Sequence, residues 1–429
     1  MPGRIKTSQL GLILCALIIY PWFTTHGETS PVFLSGYLKS TVTVQKFTPN
    51  MTQPPLEDDT QYVMIQSQLR MRLFHEPSDF CAFETSYAIS PTAANPHLLA
   101  SQGFISPREN SYRIHDFNET VLDTPPRDLS LFHNLDRLNI NILFPSADLY
   151  LGRQAISFGS GKFINPTDIF SPFLFQDLNK ENKIGVDALR LTFSTGDFSE
   201  IDLGLVFGKN GKMKNNAIFL RTRLHFYNTD ISLMAMDFKN NLMLGFDMTR
   251  SISEAGFWLE AARVFAGRFE NHLKEEDYFR LVSGIDFSFF DNTYIFVEYH
   301  YNSAGTNTKE KYISNTIGTG NPTGADTALK TAYADGGTYL LGRHYLIPGV
   351  TYEFTPLCSG TMHSLINLTD LSTYMGISLE YSLKQDIFLE AGGFWALGKR
   401  PDMYGPVVIP HSEFGLYSNM IYAGVRFYF

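Results

Sequence analysis

The stretch LYSNMIYAGVRFYF, residues 416–429, ends the chain and alternates between two kinds of side chain. Mostly apolar residues occupy one parity: Tyr417, Ile421, Ala423, Val425, Phe427 and Phe429. Polar, aromatic or small residues occupy the other: Ser418, Tyr422, Gly424, Arg426 and Tyr428. A period of two indicates a β-strand, whose successive side chains point to opposite faces. One apolar face fits a strand of a soluble sandwich or a strand of a membrane barrel.

The last residue, Phe429, lies inside this strand with no tail after it. A terminal Phe preceded by alternate apolar residues resembles the assembly signal of bacterial outer-membrane β-barrels. The resemblance implies that Phe427 and Phe429 form this signal and that the barrel-assembly machinery reads it. It also implies outer-membrane lipid and lipopolysaccharide as partners of the apolar face.

Residues 1–27 are predicted to be a secretory signal peptide. Arg4 and Lys6 precede an apolar run over residues 10–23, and Thr25-His26-Gly27 provides small residues for cleavage before Glu28. The run is shorter than the roughly 20 residues that a membrane-spanning helix needs. We therefore expect residues 28–429 to form the mature protein as one barrel domain.

The composition favours a membrane protein that crosses the bilayer with strands. The sequence has 14% aromatic and 18% charged residues and 33 glycines, and no later segment has an apolar run of helical length. The net charge of -9 argues against a nucleic-acid partner. Cys81 and Cys358 follow the leader without the spacing of a metal or haem site, so no cofactor or metal is expected.

Alternating segments recur along the chain and predict an all-β, antiparallel up-and-down barrel of about 18 strands, with 16 as the alternative. The predicted strands are residues 33–44, 62–74, 80–90, 131–144, 148–158, 185–195, 200–207, 217–227, 231–238, 241–250, 256–265, 278–290, 293–302, 339–354, 361–368, 373–383, 387–397 and 416–429. Tight turns alternate with long loops between them, as in transmembrane barrels with short periplasmic turns and long extracellular loops. An even strand count places both termini in the periplasm.

Sorting the predicted strands by parity places charged side chains on the enclosed face. The basic ones lie on the first eight strands and the last: Lys39, Arg70, Arg72, Arg137, Arg190, Arg221, Arg223 and Arg426. The acidic ones lie on the tenth to seventeenth strands: Asp247, Glu260, Asp286, Glu298, Glu380 and Glu390. In a closed barrel these sets form two facing walls of a water-filled lumen, with Asp202 and Arg280 breaking the pattern. A soluble sheet whose solvated positions sort by chance is the alternative.

The block 151–190 contains the elements GRQAISFG, NPTDIFSPF and GVDALR. These resemble a block of uncharacterised proteobacterial outer-membrane barrels of the porin and alginate-export-like type. Its central loop carries apolar Ile164, Ile169 and Phe170, which do not belong in external water. We expect the loop to fold into the barrel between the fifth and sixth strands, as the third loop of general porins does; a lid over the mouth is the alternative. The residues expected at the constriction are Lys162, Asp168, Phe170, Phe173 and Asp177.

The expected function is passive diffusion of small hydrophilic solutes through the outer membrane of a Gram-negative bacterium. The basic wall indicates a weak preference for anionic solutes. A barrel that sheathes a partner, as in polysaccharide export or a porin-cytochrome electron conduit, is the alternative. Because no histidine, serine or cysteine lies in a catalytic or metal-binding motif, we expect no enzymatic activity. The barrel is expected to be a monomer or a homotrimer.

Overall fold

The computed structural model describes residues 31–46, 61–94, 110–116, 119–124, 129–172, 181–268, 277–312, 340–404 and 407–429, with Phe175 and Leu178. The signal peptide expected at residues 1–27 lies outside this set. In the described ranges, no helix combines the length and the apolar character required to cross a bilayer.

Eighteen antiparallel strands form the wall of a closed barrel. The first nine are β1 (Val32–Lys46), β2 (Gln61–Ser78), β3 (Cys81–Ala94), β4 (Leu129–Phe144), β5 (Ala147–Gln154), β6 (Val186–Gly196), β7 (Ser199–Phe207), β8 (Ala217–Phe226) and β9 (Thr229–Phe238). The other nine are β10 (Asn241–Ile252), β11 (Ala255–Phe265), β12 (Tyr278–Phe289), β13 (Thr293–Asn302), β14 (His344–Thr355), β15 (Cys358–Asn367), β16 (Thr373–Lys384), β17 (Ile387–Leu397) and β18 (Asn419–Tyr428). Short strands outside this ring are Glu119–Thr124, which pairs with β4, and the hairpin of Asp402–Tyr404 with Val407–Ile409.

The last strand closes the ring, because β18 pairs with both β17 and β1. Beyond β18, the amide of Gly36 donates to the carbonyl of Phe429 (2.8 Å) and the amide of Phe429 donates to the carbonyl of Gly36 (3.1 Å). A Cβ on Gly36 would lie 2.2 Å from the Arg70 carbonyl of β2 and 2.8 Å from Cζ of the Phe429 ring, so glycine lets β1 lie close to both neighbours at this point. Among the described residues, closure gives each of the eighteen wall strands a partner on both sides, as a hydrocarbon surrounding requires. The predicted eighteen-strand barrel is confirmed.

The two ends of the barrel differ in their connections. One end, the turn end, carries only connections of two or three residues: 79–80, 145–146, 197–198, 227–228, 253–254, 290–292, 356–357 and 385–386. The opposite end, the loop end, carries the long connections, together with the two-residue connection 239–240 and the five-residue connection 368–372. The predicted alternation is therefore confirmed apart from these two short connections. β1 begins and β18 ends at the turn end.

The outward face of the barrel is apolar and exposed, as Leu138, Leu220 and Leu244 show. Outward aromatic rings gather near the turn end, where Phe226 and Phe354 are 65% and 57% exposed. An apolar band with an aromatic rim is typical of barrels that span a bilayer. The enclosed parity carries the polar side chains and a set of apolar ones that the loops cover.

Some strand boundaries differ from the prediction, because local contacts extend or replace the backbone pairing there. β2 continues through Pro77 to Ser78, although the predicted second strand ends at residue 74. A register shift between His75 and Ser78 accommodates the proline, which has no amide to donate to the ladder.

β5 ends at Gln154 rather than at Phe158, because the Phe158 ring packs inside the barrel, 5.0 Å from that of Phe219. β14 begins at His344 rather than at residue 339. Before it, the amide of Leu341 donates to a side chain instead of to a neighbouring strand.

Deletion of Phe429 tests the closing seam. The deletion removes two backbone hydrogen bonds to Gly36 at the junction of first and last strands. We expect less protein in the assembled form, measured as the fraction that migrates on a gel without heating as a compact barrel. Phe226→Leu, which keeps an apolar outward side chain near the turn end of β8 and lies outside the closing strand, serves as the control. An unchanged assembled fraction after the deletion would contradict this account.

Candidate channel constriction

The inner loop, residues 155–185, connects β5 to β6 through the interior of the barrel. The hydroxyl of Ser160 donates to Asp247 on β10. On the other side, the ammonium of Lys39 on β1 donates to the carbonyl of Leu178 (2.6 Å). Because β10 and β1 lie far apart around the ring, the loop spans the enclosed space. The predicted inward fold of this loop is confirmed.

Glu260 on β11 anchors the first half of the inner loop. Its Oε2 accepts hydrogen bonds from the amides of Ser160 (3.2 Å) and Gly161 (3.3 Å). Its Oε1 accepts from the amide and the hydroxyl of Thr167, each at 2.7 Å. Glu260 is fully buried, so these donors replace the water that its carboxylate has lost. The carboxylate in turn provides acceptors for peptide groups that have left strand pairing.

Glu298 on β13 does the same for the next three residues. The amide of Lys162 donates to Oε2 (2.7 Å), and those of Phe163 and Ile164 donate to Oε1 (3.3 Å each). The indole of Trp258 completes the set at 3.0 Å from Oε2. Consecutive amides that converge on one anion form a nest, which favours a negative charge at this position.

Apolar side chains of the inner loop pack against the enclosed face of the wall. The Phe170 ring lies 6.0 Å from that of Phe219 on β8 and joins a buried cluster with residues of β6 to β12. The Phe163 ring stacks on Phe296 of β13 at 5.6 Å, and the Phe175 ring lies 5.5 Å from Tyr374 of β16. The apolar residues that seemed misplaced in a surface loop therefore cover apolar wall positions.

Basic residues of the predicted wall converge on Asp136 of β4. The carboxylate lies 2.6 Å from Arg70, 2.7 Å from Arg137 and 3.2 Å from Arg113, a residue of the β3–β4 connection. All three guanidinium groups are nearly buried there. Arg70 and Arg137 therefore point inward, as their parity predicts, but each is held by a carboxylate.

Asp136 itself is absent from the sequence prediction, because strict alternation turns it outward beside an inward Arg137. A β-bulge reverses this expectation. Arg137 pairs with Ser86 and Leu135 with Tyr87, so Asp136 is the extra residue of β4 and shares the enclosed face with Arg137. No signal in the single sequence marks the bulge.

The other basic residues of the predicted wall also have acidic partners. Arg190 on β6 lies 2.8 Å from Asp202 on β7. Arg221 and Arg223 on β8 lie 3.0 Å and 3.1 Å from Glu200 on β7. Asp202, which breaks the predicted sorting of charges, is thus a partner of the basic side.

A second network joins β1, β18 and the inner loop. Lys39 lies 2.9 Å from Glu181 of the loop and 3.1 Å from Glu390 on β17. Arg426 on β18 lies 2.7 Å from Glu181 and 2.8 Å from Glu380 on β16. The loop therefore supplies the acid that separates the two basic side chains.

The predicted acidic wall divides into two groups. Asp247, Glu260 and Glu298 hold the inner loop, as described above. Asp286 lies 3.4 Å from Lys162 of that loop, whereas Glu380 and Glu390 pair with basic residues of β18 and β1. The other pattern-breaking residue, Arg280 on β12, donates to the carbonyl of Pro166 (2.5 Å) and holds the loop as well.

Of the residues predicted for the constriction, Asp168 is buried and accepts hydrogen bonds from Ser157 (2.8 Å) and Lys183 (3.0 Å). Lys162 and Phe170 take the places given above. Phe173 and Asp177 lie outside the described residues. That any of these residues, or the two walls, line an open pore stays a prediction.

At the loop end, the carboxylate of Glu413 links the β17–β18 connection, in which it lies, to the β13–β14 connection and to side chains of β14 and β15. Its Oε1 accepts from the amide of Leu341 (2.8 Å), and its Oε2 accepts from Asn367 (2.6 Å) and Tyr345 (2.5 Å). Burial raises the pKa of Glu413 to about 7, against these hydrogen bonds, which favour the ionised form. The neighbouring carboxylate of Asp370 also raises the pKa.

Within the described part of the chain, no group of three His, Cys, Asp or Glu side chains is arranged to hold a metal ion. Cys81 and Cys358 are free thiols on different strands.

No protein-family model matches the sequence, and no curated protein is significantly similar to it. Among solved structures, OccAB4 of Acinetobacter baumannii has a TM-score of 0.52 at 9% identity, covering 94% of this chain and 99% of that chain. The chain has the fold of bacterial outer-membrane porins. OccK7 (OpdD) and OccD3 (OpdP) of Pseudomonas aeruginosa, each at 9% identity, have the same porin fold. Their TM-scores are 0.51 and 0.52, covering 92% and 94% of this chain and 98% and 92% of theirs.

Glu298→Gln tests the anchoring of the inner loop. The amide group of Gln would face amides that donate to Glu298, and each lost hydrogen bond to a charged group costs about 1.5–3 kcal/mol. We expect a small water-soluble amine reagent to label Lys162 faster in the folded variant than in the parent protein. Glu353→Gln, at an exposed position near the turn end of β14, is the control. Equal labelling rates in all three proteins would refute the anchor.

Glu413 makes the packing of the loop end depend on pH. Its pKa is higher in the folded protein, so its contribution to stability is complete below about pH 4.5 and is lost as the pH rises through about 7. We expect cleavage of loop-end connections by a broad-specificity protease to rise several-fold between pH 5 and pH 8. The rates are normalised to an unfolded substrate. In the Glu413→Gln variant, the cleavage rate should no longer depend on pH in this way. An equal rise of the cleavage rate in the variant would contradict the role of Glu413.

Proposed function

We propose that the protein is an outer-membrane channel through which small hydrophilic solutes diffuse. The observation that carries the proposal is the inner loop, which the wall of a porin-fold barrel holds across the interior while charged side chains beside it stay exposed. A loop held in this way narrows the lumen and leaves a polar passage along the charged side chains. Solutes small enough to pass the loop would cross by diffusion, without a chemical step.

The exposed charges inside the barrel support a weak preference for anions. Arg72 and Arg223 have side chains that are 47% and 45% exposed, whereas their partners Glu84 and Glu200 are 21% and 29% exposed. Lys162 is 42% exposed, and the acidic residues of similar or greater exposure on the enclosed parity are Glu380 at 46% and Asp230 at 58%. Three of these five exposed groups are basic, so the small excess of positive charge attracts anions weakly. The buried ion pairs contribute less to this field, because a carboxylate next to each guanidinium cancels most of its charge.

The same geometry disfavours a barrel that sheathes a second protein or exports a polymer. The inner loop packs its aromatic side chains on wall residues such as Phe219, Phe296 and Tyr374. A folded partner in the lumen would have to displace this packing. A passage for small solutes requires no such displacement.

The outward face supports the remaining partners of the proposal. Its apolar band and aromatic rim fit outer-membrane lipid and lipopolysaccharide, and the closing strand with Phe427 and Phe429 fits the barrel-assembly machinery. In a Gram-negative cell the turn end would face the periplasm. The proposal includes no nucleic acid, cofactor or catalytic step, and the homotrimer stays a prediction.

Reversal potentials under a salt gradient in planar bilayers test the selectivity. We expect a mild anion preference in the parent channel. The double variant Arg72→Gln, Arg223→Gln should shift the reversal potential toward cation selectivity, because it removes two exposed positive charges from the lumen. Arg70→Gln should shift it less, because Arg70 is buried beside Asp136.

Arg250→Gln is the matched control, because Arg250 is exposed on the outward parity of β10. A cation-selective parent channel would refute the anion preference. Absence of any conductance from correctly assembled protein would refute the channel.

A further inference from the structure

A second segment of the chain, residues 110–116, enters the barrel from the connection between β3 and β4 and packs against the inner loop. The amide group of Asn110 donates to the carbonyl of Phe170 (2.9 Å). The buried Tyr112 ring meets the Phe170 ring edge-on, with centroids 4.9 Å apart. The segment therefore contacts the apex of the inner loop through both a polar and an aromatic group. No pattern in the sequence predicts this contact.

The backbone of the segment is fastened to the loop end of the wall. The amide of Asp187 at the start of β6 donates to the carbonyl of Tyr112 (3.0 Å), and the amide of Asn210 donates to the carbonyl of Ile114 (2.9 Å). The carboxylate of Asp187 also accepts from the amide of Ile114 (2.8 Å). Residues 110–116 thus have a fixed position between the wall and the inner loop.

Arg113 lies at the centre of this segment and its side chain is fully buried. Its Nε donates to the carbonyl of Gly185 (2.7 Å), the last residue of the inner loop. Its two terminal nitrogens donate to Asp116 (2.8 Å), Asn134 (3.1 Å) and Asp136 (3.2 Å). The guanidinium therefore joins the returning limb of the inner loop to β4. A buried guanidinium is tolerated only when it is paired in this way.

Both the amide and the carbonyl of Gly185 are hydrogen-bonded to side chains. Its carbonyl accepts from Arg113, and its amide donates to the carboxylate of Asp136 (3.0 Å). A Cβ at this position would lie 2.1 Å from the carbonyl of Asp136 and 2.8 Å from Arg137, so the limb lies directly on the wall. Arg113 and Asp136 also contact each other, which makes the clamp a closed set of three groups.

We propose that residues 110–116 are a second constriction element and that Arg113 is a positioning residue, which clamps the inner loop at Gly185 against β4. The effect on solute passage rests on the proposed channel function. With the clamp in place, both ends of the inner loop are fixed: the carboxylates of β11 and β13 hold its first half, and Arg113 holds its return. Without Arg113, the return limb keeps the hydrogen bonds of Lys183 to Arg137 and of Gly185 to Asp136, so it moves more freely on the wall and the free cross-section of the channel fluctuates.

Thiol accessibility tests the clamp without any conduction. Ile169, 4% exposed in the inner loop, is replaced by Cys in a background with Cys81→Ser and Cys358→Ser, and its labelling by a maleimide is timed on the folded protein. Arg113→Met should speed labelling by about tenfold or more, because hydrogen bonds of a charged group to the loop and the wall are lost. Arg113→Lys, which keeps the charge but not the fork, should give a smaller increase.

Arg250→Met makes the same chemical change on the outward face and should leave the labelling rate unchanged. Labelling of the Arg113→Met protein at the parent rate would overturn the proposal. If Arg113→Met does not assemble, Arg113→Lys and Asn110→Ala decide the question. Parent rates in both of these variants would overturn it as well.

Single-channel recording then separates the clamp from the channel function. Arg113→Met in the otherwise natural sequence should raise the mean conductance and the current fluctuation, and Arg250→Met should change neither. If the parent protein does not conduct while labelling responds to Arg113→Met, the channel function fails and the clamp stands. If the parent conducts and neither labelling nor current responds, the clamp fails and the channel stands.

Discussion

Peptide amides that leave strand pairing inside a barrel need acceptors, and the placement of the inner loop depends on the carboxylates that supply them. Glu260 and Glu298 accept amides from residues 160–164 and 167, although both carboxylates are fully buried. Each would be costly to bury without donors, and the loop amides would be costly to bury without acceptors. The hydrogen bonds between the loop amides and the wall carboxylates satisfy both groups, so they hold the inner loop against the wall. The aromatic contacts of the loop then cover apolar residues on the enclosed face.

Closure of the barrel determines where such charges are allowed. Each of the eighteen described wall strands has a partner on both sides, and the outward parity is mostly apolar, so most charged side chains of the strands lie on the enclosed parity. Most enclosed charges are paired across neighbouring strands or with the inner loop, as Arg190 with Asp202 and Lys39 with Glu181 show. Pairing reduces the contrast between a basic and an acidic wall. The remaining exposed charges, led by Arg72 and Arg223, set the field that a solute would meet.

Much of this architecture follows from the period of two in the sequence. Alternation predicts the eighteen strands, and the apolar residues of the block 151–190 predict a loop folded inward. The alternation also places Glu260 and Glu298 on the enclosed face, but it does not reveal that these two carboxylates hold the inner loop. Hydrogen bonds between a carboxylate and distant amides leave no periodic trace, and these pairs lie about a hundred residues or more apart in the chain.

Other features escape the sequence for local reasons. Asp136 points inward because of a bulge, and one extra residue in a strand looks like ordinary alternation in a single sequence. The clamp of Arg113 on Gly185 lies in a connection with no strand periodicity, so its partners become visible only when β4 and β6 are in place. The early end of β5 has a similar cause, because Phe158 follows the inner loop rather than the strand ladder.

Zero-length crosslinking tests most directly whether the inner loop crosses the barrel. A carbodiimide joins an amine to a carboxylate only when the two groups are in contact, and Lys162 of the loop lies 3.4 Å from Asp286 on β12. For the folded protein, the account predicts a crosslinked peptide pair that contains Lys162 and Asp286, and predicts its loss when the protein is unfolded before the reaction. Crosslinks from Lys162 to residues of the loop-end connections instead would show a loop outside the lumen and would contradict it.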